Sequence, residues 1–293
     1  MSVPDELQLD GRRVAVSSRD KGLFPCGITK GELIDYYVRV APHMLPHTRH
    51  RALTMHRFPD GIDQPGFFQK HMPDYFPAWI SRTQMAKEGG TVVHVVADDA
   101  ATLAYIANQS CITPHLALAT SDRPHHPDRL VIDLDPSDND FGKVQESAAA
   151  LKQALDALGL TTFVQTTGSR GLHILLPLEP NADFDTVRAW LRDFAAGCVE
   201  EAPTLMTLEM SKAKRGDRVF VDTLRNAYGQ TAVAPYAVRA RDHAPVATPL
   251  RWDEALSSGM SAGKYTIASI FRRLAQVDDP WADFFQTTNT LPL

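Results

Sequence analysis

The sequence predicts an α+β protein, and three observations carry that prediction. Apolar, β-branched runs that end in acids recur: Leu130-Val131-Ile132-Asp133-Leu134-Asp135-Pro136 and Arg218-Val219-Phe220-Val221-Asp222 both read as strands. Helical stripes with end signals stand beside them. Thr29 and Glu32 have capping-box spacing ahead of Leu33, Tyr36, Tyr37 and Val40, while Val144, Ala148, Leu151, Leu155 and Leu158 form one stripe over about 141–158 that Gly159 ends. The third observation is a strand pair, Thr162 to Thr166 and Leu172 to Leu176, joined by the tight turn Thr167-Gly168-Ser169-Arg170-Gly171.

The chemistry gathers on the first run. Strand side chains alternate faces, so Asp133 and Asp135 project from one face and Leu134 enters the core, and Pro136 ends the strand for lack of a backbone donor. Two such acids repel unless a cation lies between them, and an all-oxygen ligand set suits magnesium or manganese rather than zinc. A strand end capped by turn-forming Asp residues explains the same pair. Asp222, at the end of a second β-branched run, adds a third acid, and three carboxylates at strand ends can hold two metals for in-line attack on a phosphate.

Composition bounds the alternatives. With 293 residues, 44% hydrophobic and 22% charged, the chain has the make-up of a globular protein of one large domain or two lobes sharing a cleft. The net charge of −5 counts against a nonspecific nucleic-acid coat but not against an enzyme with a local basic groove. Cys26, Cys111 and Cys198 are odd in number and far apart, which argues against a disulfide framework and a zinc motif. The acidic start Met1-Ser2-Val3-Pro4-Asp5-Glu6 lacks the apolar run of a signal peptide, and no stretch approaches the ~20 apolar residues of a membrane span, so the cytoplasm is the expected compartment.

Residues 7–16 read as a short hairpin about Gly11, and 17–25 as a loop that delivers Thr29 to its helix. Lys21 and Lys30 flank that helix start, where backbone donors and the dipole favour an anion; two solvated lysines fit equally well. Leu53 to Phe58 reads as a strand. In Gly66-Phe67-Phe68-Gln69-Lys70-His71 the two Phe side chains point to opposite sides; an exposed one beside Lys70 would suit base stacking, but without other support both are expected in the core. Residues 82–90 read as a loop, Thr91 to Val96 as a strand, Asp98 as the cap of a helix reaching Asn108, and Ile112-Thr113-Pro114-His115 as a break. The turn at Thr167 to Gly171 offers hydroxyls, a guanidinium and backbone N–H groups to a triphosphate, although plain hairpins look alike. A helix at about 184–201 and a strand from Thr204 to Met210 lead into Ser211 to Arg218. There Lys212, Lys214, Arg215 and Arg218 stand against the single acid Asp217, and a polyanion would account for them. The tail carries another helix and ends in Trp281, Phe284 and Phe285, read as docking residues.

Asp133-Leu134-Asp135-Pro136, Thr167 to His173, Met210 to Arg215 and Phe220-Val221-Asp222 together resemble the polymerase domain of bacterial ligase D, in the archaeo-eukaryotic primase superfamily. The likeness extends through Gly61-Ile62-Asp63, Gly66 to His71, Arg225-Asn226-Ala227 and Val233-Ala234-Pro235-Tyr236, over roughly residues 10–255. It implies a primase-like core of two mixed sheets with helices outside and a cleft between them. About 1–125 would form a lobe for DNA ends, about 126–255 the metal and nucleotide lobe, and 256–293 a docking segment.

The implied activity is template-directed addition of NTPs or dNTPs to primer ends and filling of short gaps, with Mn2+ or Mg2+, in end joining or gap repair. A DNA-end-binding module without catalysis is the alternative. The resemblance places metal ligands at Asp133, Asp135 and Asp222, a metal-site and nucleotide-contacting histidine at His115, and the triphosphate at Thr167, Gly168, Ser169, Arg170 and His173. Arg225, Thr231 and Arg239 fall near the incoming nucleotide. Lys21 and Lys30 match a 5′-phosphate pocket, Phe67 and Phe68 the template base, with Lys70 beside them, and Lys212, Lys214, Arg215 and Arg218 a loop that positions the primer end. Gapped or broken DNA bearing a 5′-phosphate, Ku or another recruiting factor, and a separate DNA ligase are the implied partners. Two departures stand out: Leu116-Ala117-Leu118 follows His115 where many relatives have a Trp, and Thr167 replaces a commoner Ser. The chain is also expected to be a free-standing polymerase, since it is too short for ligase or phosphoesterase modules.

Overall fold

The computed structural model describes residues 5–293, so most of the acidic start that was read as lacking a signal peptide lies outside it. The chain opens with the hairpin β1 (Asp5–Leu9) and β2 (Arg12–Val16), turned at Asp10-Gly11, both with positive φ. Helix α1 (Lys30–Thr48) starts where the capping box places it. Thr29 Oγ1 accepts from Glu32 N–H, and the Glu32 carboxylate accepts from Thr29 N–H. Then come β3 (Leu53–Arg57), β4 (Phe67–Gln69), β5 (Arg82–Lys87), β6 (Gly90–Val95), α2 (Ala100–Asn108) and β7 (Cys111–Ala117). The second half follows as β8 (Arg129–Pro136), α3 (Phe141–Ala157), β9 (Phe163–Thr166), β10 (Leu172–Pro177), α4 (Phe184–Glu201) and β11 (Met206–Thr207). It ends with α5 (Lys212–Arg215), β12 (Val219–Asp222), β13 (Thr231–Val233), β14 (Pro249–Leu250), α6 (Trp252–Ala255) and α7 (Ile270–Leu274).

Two sheets organise the molecule. One runs β13-β7-β3-β6-β5, with β4 paired to β3; the other runs β11-β12-β8-β10-β9-β14 and is mixed, because β11 and β12 are parallel while its other pairs are antiparallel. Its outer face buries Leu130, Ile132 and Leu134 against Val144, Ala148, Leu151 and Leu155 of α3 and Leu191 of α4. Its inner face carries Val131 and Leu175, which pack with Leu118 and Ala119 just past β7, with Ala232 of β13, and with Trp281 and Phe284 of the tail. That apolar plug closes one end of the space between the sheets. The same face continues into Asp133 and Asp135, so the other end is polar. The chain also crosses back, since β13 joins the first sheet after β12 has completed its part of the second.

Several sequence-based expectations are corrected. Residues 82–90 are mostly strand β5, an edge strand paired along its length to β6; its exposed face is polar, which hides the alternation. Asp99, not Asp98, caps α2, while Asp98 accepts the His50 N–H. Ile112 to His115 is strand, not a break. Pro114 is tolerated because it sits opposite Ala234, just past the end of β13, where its carbonyl still accepts the Ala234 N–H. Leu158 is the C-cap of α3 and 48% exposed rather than part of its buried stripe. The strand read from Thr204 to Met210 shrinks to β11, and the cationic loop holds the single turn α5. Neither Phe67 nor Phe68 is core; both are exposed. Trp281 and Phe284 dock on their own chain, Trp281 Nε1 donating to Val164 O, and Phe285 remains exposed.

Candidate active site

Strand register builds the site. Asp222 of β12 pairs with Asp133 of β8, Asp133 with His173 of β10, and His173 with Gln165 of β9, so four polar side chains form one row across four adjacent strands. One step along, Phe220 pairs with Asp135. The opposite sheet contributes His115 from β7 and Thr231 to Val233 from β13, while Arg239 comes from the segment after β13. Together these line a cavity of about 270 Å³ that also takes in Thr167, Ser169, Arg170, Gly171, Lys212, Arg215 and Arg225.

Guanidinium groups hold the carboxylates. Arg225 Nε lies 3.6 Å from Asp133 Oδ2 and 3.7 Å from Asp222 Oδ2. Asp135 takes Arg170 Nη2 at 2.8 Å and Arg215 Nη1 at 3.7 Å, and Arg215 also lies 3.7 Å over the Phe220 ring. His173 Nε2 lies 3.4 Å from Asp133 Oδ1, with Gln165 Nε2 3.4 Å from its Nδ1. Burial opposes ionisation of Asp133, but His173, Arg225 and Arg239 outweigh it and hold the carboxyl below the ordinary carboxylate range. Asp222 goes the other way, raised by burial and by Asp133 across the ladder. Burial, then Arg239, His56, Arg225 and His173, push His115 well below the usual imidazole range, so it is neutral at pH 7; its Nε2 is buried and has no partner among the described residues. The lining sets five cationic side chains (Lys212, Arg170, Arg215, Arg225, Arg239) against three carboxylates, a balance that suits a polyanion.

The turn from Thr167 to Gly171 uses part of its backbone donor set on itself. Thr167 Oγ1 accepts the Ser169 and Gly171 N–H groups, each at 3.2 Å, and Thr167 N–H donates to Gly171 O. Those three backbone donors are engaged within the turn, while the Ser169 and Arg170 side chains line the cavity. Arg239 Nη1 donates to Thr167 O at 2.8 Å and locks the turn to the first sheet's connection. Gly168 lies behind, at φ +63, with no room for a Cβ beside Arg239 and the Ala247 backbone.

The remaining expected residues lie outside the cavity. Lys214 is exposed, and Arg218 turns back to donate to the carbonyls of Arg215 and Lys214. Lys70 ties to Gly229 O. At the start of α1 the Lys30 and Gly31 N–H groups donate to Lys21 O and Arg19 O, so the helix end has no backbone donors to spare there. Lys21 pairs with Asp60 at 3.2 Å, and Lys30, only 5% exposed, has its pKa lowered by burial and by Lys21. Of the two phenylalanines, Phe68 lies nearer the cavity, stacked on His56 at 4.0 Å and edge-on to the lining residue His115 at 5.4 Å.

Sequence reasoning missed two members. Gln165 is fully buried and links the polar row to Val233 O across the sheets; a glutamine inside an apolar strand was its signal. His56, lowered to about 4 by burial and Arg239, was hidden in a strand whose face was undetermined. The donor set of Asp133, Asp135 and Asp222 is all-oxygen, on one face of paired strands, and fits a hard divalent cation. Among the described residues, no three His, Cys, Asp or Glu side chains are yet grouped as a metal cage. At present, arginines supply the positive charge that the paired acids require.

The family model described as "LigD, primase-polymerase domain" matches residues 29–281. The chain is 36% identical over 253 residues to the multifunctional non-homologous end joining DNA repair protein LigD of Mycobacterium tuberculosis, covering 83% of this chain and 33% of that protein. It is 32% identical over 267 residues to the bifunctional LigD of Bacillus subtilis, covering 90% of this chain and 43% of that one. It therefore spans well under half the length of these relatives. The polymerase domain of Mycobacterium tuberculosis ligase D, solved in complex with DNA, superposes with a TM-score of 0.86 at 33% identity, covering 92% of this chain and 96% of that one. Among the described residues no helix is long and apolar enough to cross a membrane. With the row of acids, the cationic cavity and the two-sheet frame all present, the chain belongs to the LigD primase-polymerase domain family, a family of nucleotidyltransferases.

Proposed function

We propose that this protein is a template-directed nucleotidyltransferase that extends primer ends and fills short gaps during DNA end joining or gap repair. The observation that carries this reading is the convergence of Asp133, Asp135 and Asp222 on paired strands in a cavity that also carries five cationic side chains. A pure DNA-end binder gains nothing from three acids set side by side.

Arg170, Arg215, Arg239 and Lys212 would hold the triphosphate of an incoming nucleotide, with Ser169 as a hydroxyl donor and Thr231 at the wall. Asp133, Asp135 and Asp222 would hold a divalent cation, Mg2+ or Mn2+, and Arg225, which lies beside Asp133 and Asp222, would be available to the nucleotide. Such an ion supplies Lewis-acid stabilisation of the charge on the transferring phosphate. Neutral His115, in the cavity wall, would contact the bound nucleotide. Phe68 on its His56 backing supplies a ring face for the templating base. Lys21 and Lys30 would take the downstream 5′-phosphate by their side chains alone, because the helix-end donors beside them are used. Ku or another recruiting factor, and a separate ligase to seal, complete the proposed setting.

Primer extension on a gapped duplex with NTP or dNTP, each with Mg2+ or Mn2+, tests the reading. Addition that depends on the template and on a divalent metal, and favours ribonucleotides, is expected. Absence of addition in all four combinations overturns it.

A further inference from the structure

Two buried tyrosines of α1 carry hydroxyls that the cavity does not use. Tyr36 and Tyr37 are 2% and 1% exposed, their rings meet edge-on at 5.2 Å, and neither lines the cavity. Burial pushes both phenols well above the ordinary tyrosine range, so each keeps its proton as a donor. The Tyr36 hydroxyl donates to Tyr236 O at 2.7 Å. The Tyr37 hydroxyl donates to Ile112 O at 2.6 Å and accepts the Val238 N–H at 3.1 Å. An apolar core position asks only for a ring. What the hydroxyls add is a pair of bonds from one helix to one short segment.

That segment, residues 236–239, begins a narrow arm. Val238 bridges Val246 antiparallel, Arg239 N–H donates to Pro245 O, and Ala247 N–H donates to Ala237 O. Tyr236 sits at φ +64, a left-handed conformation that a residue with a side chain keeps only where its surroundings hold it. Here they do. Tyr236 N–H donates to Ala247 O at 2.7 Å, its carbonyl is the one that Tyr36 bonds, and Thr113 Oγ1 donates to Val238 O at 2.6 Å. Each backbone N–H and C=O from Tyr236 to Arg239 has a partner, and two of those partners are the hydroxyls of α1. The arm carries Arg239 into the cavity wall, where its Nη1 donates to Thr167 O, and Gly168 packs against the Val246 and Ala247 backbone. Recognition of phosphate by a planar guanidinium tolerates little displacement, so its backbone has to be fixed.

We propose that Tyr36 and Tyr37 are positioning residues for nucleotide binding, which act through Arg239 by fixing the backbone of its arm from α1. This deepens, and rests on, the reading that Arg239 holds the triphosphate.

The test is equilibrium binding of UTP with Mg2+ to protein saturated with a gapped duplex, its templating base adenine and its primer ended by a dideoxynucleotide. Tyr36→Phe, Tyr37→Phe and Thr113→Val each remove hydroxyl bonds to the segment, and each should weaken UTP binding by about three- to tenfold. Affinity for the duplex without nucleotide should stay at the wild-type value. Arg239→Ala should weaken UTP binding further, and in its background Tyr37→Phe should add nothing. A merely structural role gives a lower melting temperature with UTP affinity unmoved, or the same loss with and without Arg239. Either result overturns the proposal, as does an Arg239→Ala protein that binds UTP like the wild type. Where one substitution prevents folding, the other two carry the test, because each removes bonds from a different residue. This pattern of UTP binding without template-dependent addition would sink the polymerase reading and leave the positioning role standing. Addition with UTP affinity indifferent to the tyrosines does the reverse.

Discussion

Asp222 and Asp133 face each other directly across β12 and β8, and Arg225 Nε lies 3.7 Å from one carboxylate and 3.6 Å from the other. Like charges brought that close are sustained only by a cation, an arginine now and a metal ion in the proposed reaction. Asp133→Asn or Asp222→Asn is therefore expected to cut nucleotide addition by at least ~10²-fold. Asp222→Asn removes a carboxylate whose ionisation burial and Asp133 oppose, and should not lower the melting temperature of the metal-free protein. Asp133→Asn forfeits the pairing with His173 and Arg225 and should lower it. Near-normal primer extension by either variant would show that these acids are structural.

Gly171 offers a sharper structural test. A Cβ there would lie 1.7 Å from Leu134 O, because the turn packs straight onto the backbone of β8. Gly171→Ala should cost about 3 kcal/mol or more, by forcing the turn off the strand that carries both acids. Gly197→Ala is the contrast: it lies inside α4 with nothing within 4 Å, and should stabilise by about 0.5–1 kcal/mol. Urea unfolding of both variants measures the pair.

Lys21 and Asp60 form an exposed ion pair that competes with any phosphate. Asp60→Asn should raise affinity for gapped DNA bearing a downstream 5′-phosphate by about threefold, the scale of an exposed pair. Lys21→Ala should weaken that binding and leave the 5′-hydroxyl version nearly unchanged. Titrations at one fixed salt concentration decide it. Equal loss on both DNAs makes Lys21 an ordinary backbone contact.

A pH effect on stability is expected at Glu254. Burial opposes its ionisation, but hydrogen bonds from Arg273 at 2.6 and 2.9 Å and from Tyr265 at 2.6 Å outweigh this and lower its pKa. A carboxyl depressed in the folded state adds stability above the ordinary glutamate range, and that stability is lost as pH falls through the lowered value. Glu254→Gln should therefore cost about 2 kcal/mol at pH 7. The gap to wild type should close in acid, below about pH 4. A gap of constant size across that range would remove the charge from the explanation.

Much of this protein was legible in its sequence, wherever the information is local. Thr29 and Glu32 specify the start of α1 because a capping box closes within four residues. Asp133 and Asp135 share a face because strand side chains alternate, and Leu134 between them is fully buried as that rule requires. The resemblance then named the cavity residues, and most of them meet there. What the sequence could not reveal depends on which neighbour each group finds. Pro114 reads as a break until β13 is seen to end beside it, and residues 82–87 read as loop until β6 pairs with them. The Ser169 and Gly171 N–H groups of the Thr167 turn and the donors of the α1 start look free in the sequence, but Thr167 Oγ1 and the carbonyls of Arg19 and Lys21 take them in the fold. Local periodicity determined the elements and the side on which each acid lies. Tertiary structure alone decided which polar groups remain unspent, because a hydrogen bond or ion pair is settled by what stands opposite in space, and sequence separation says nothing of that.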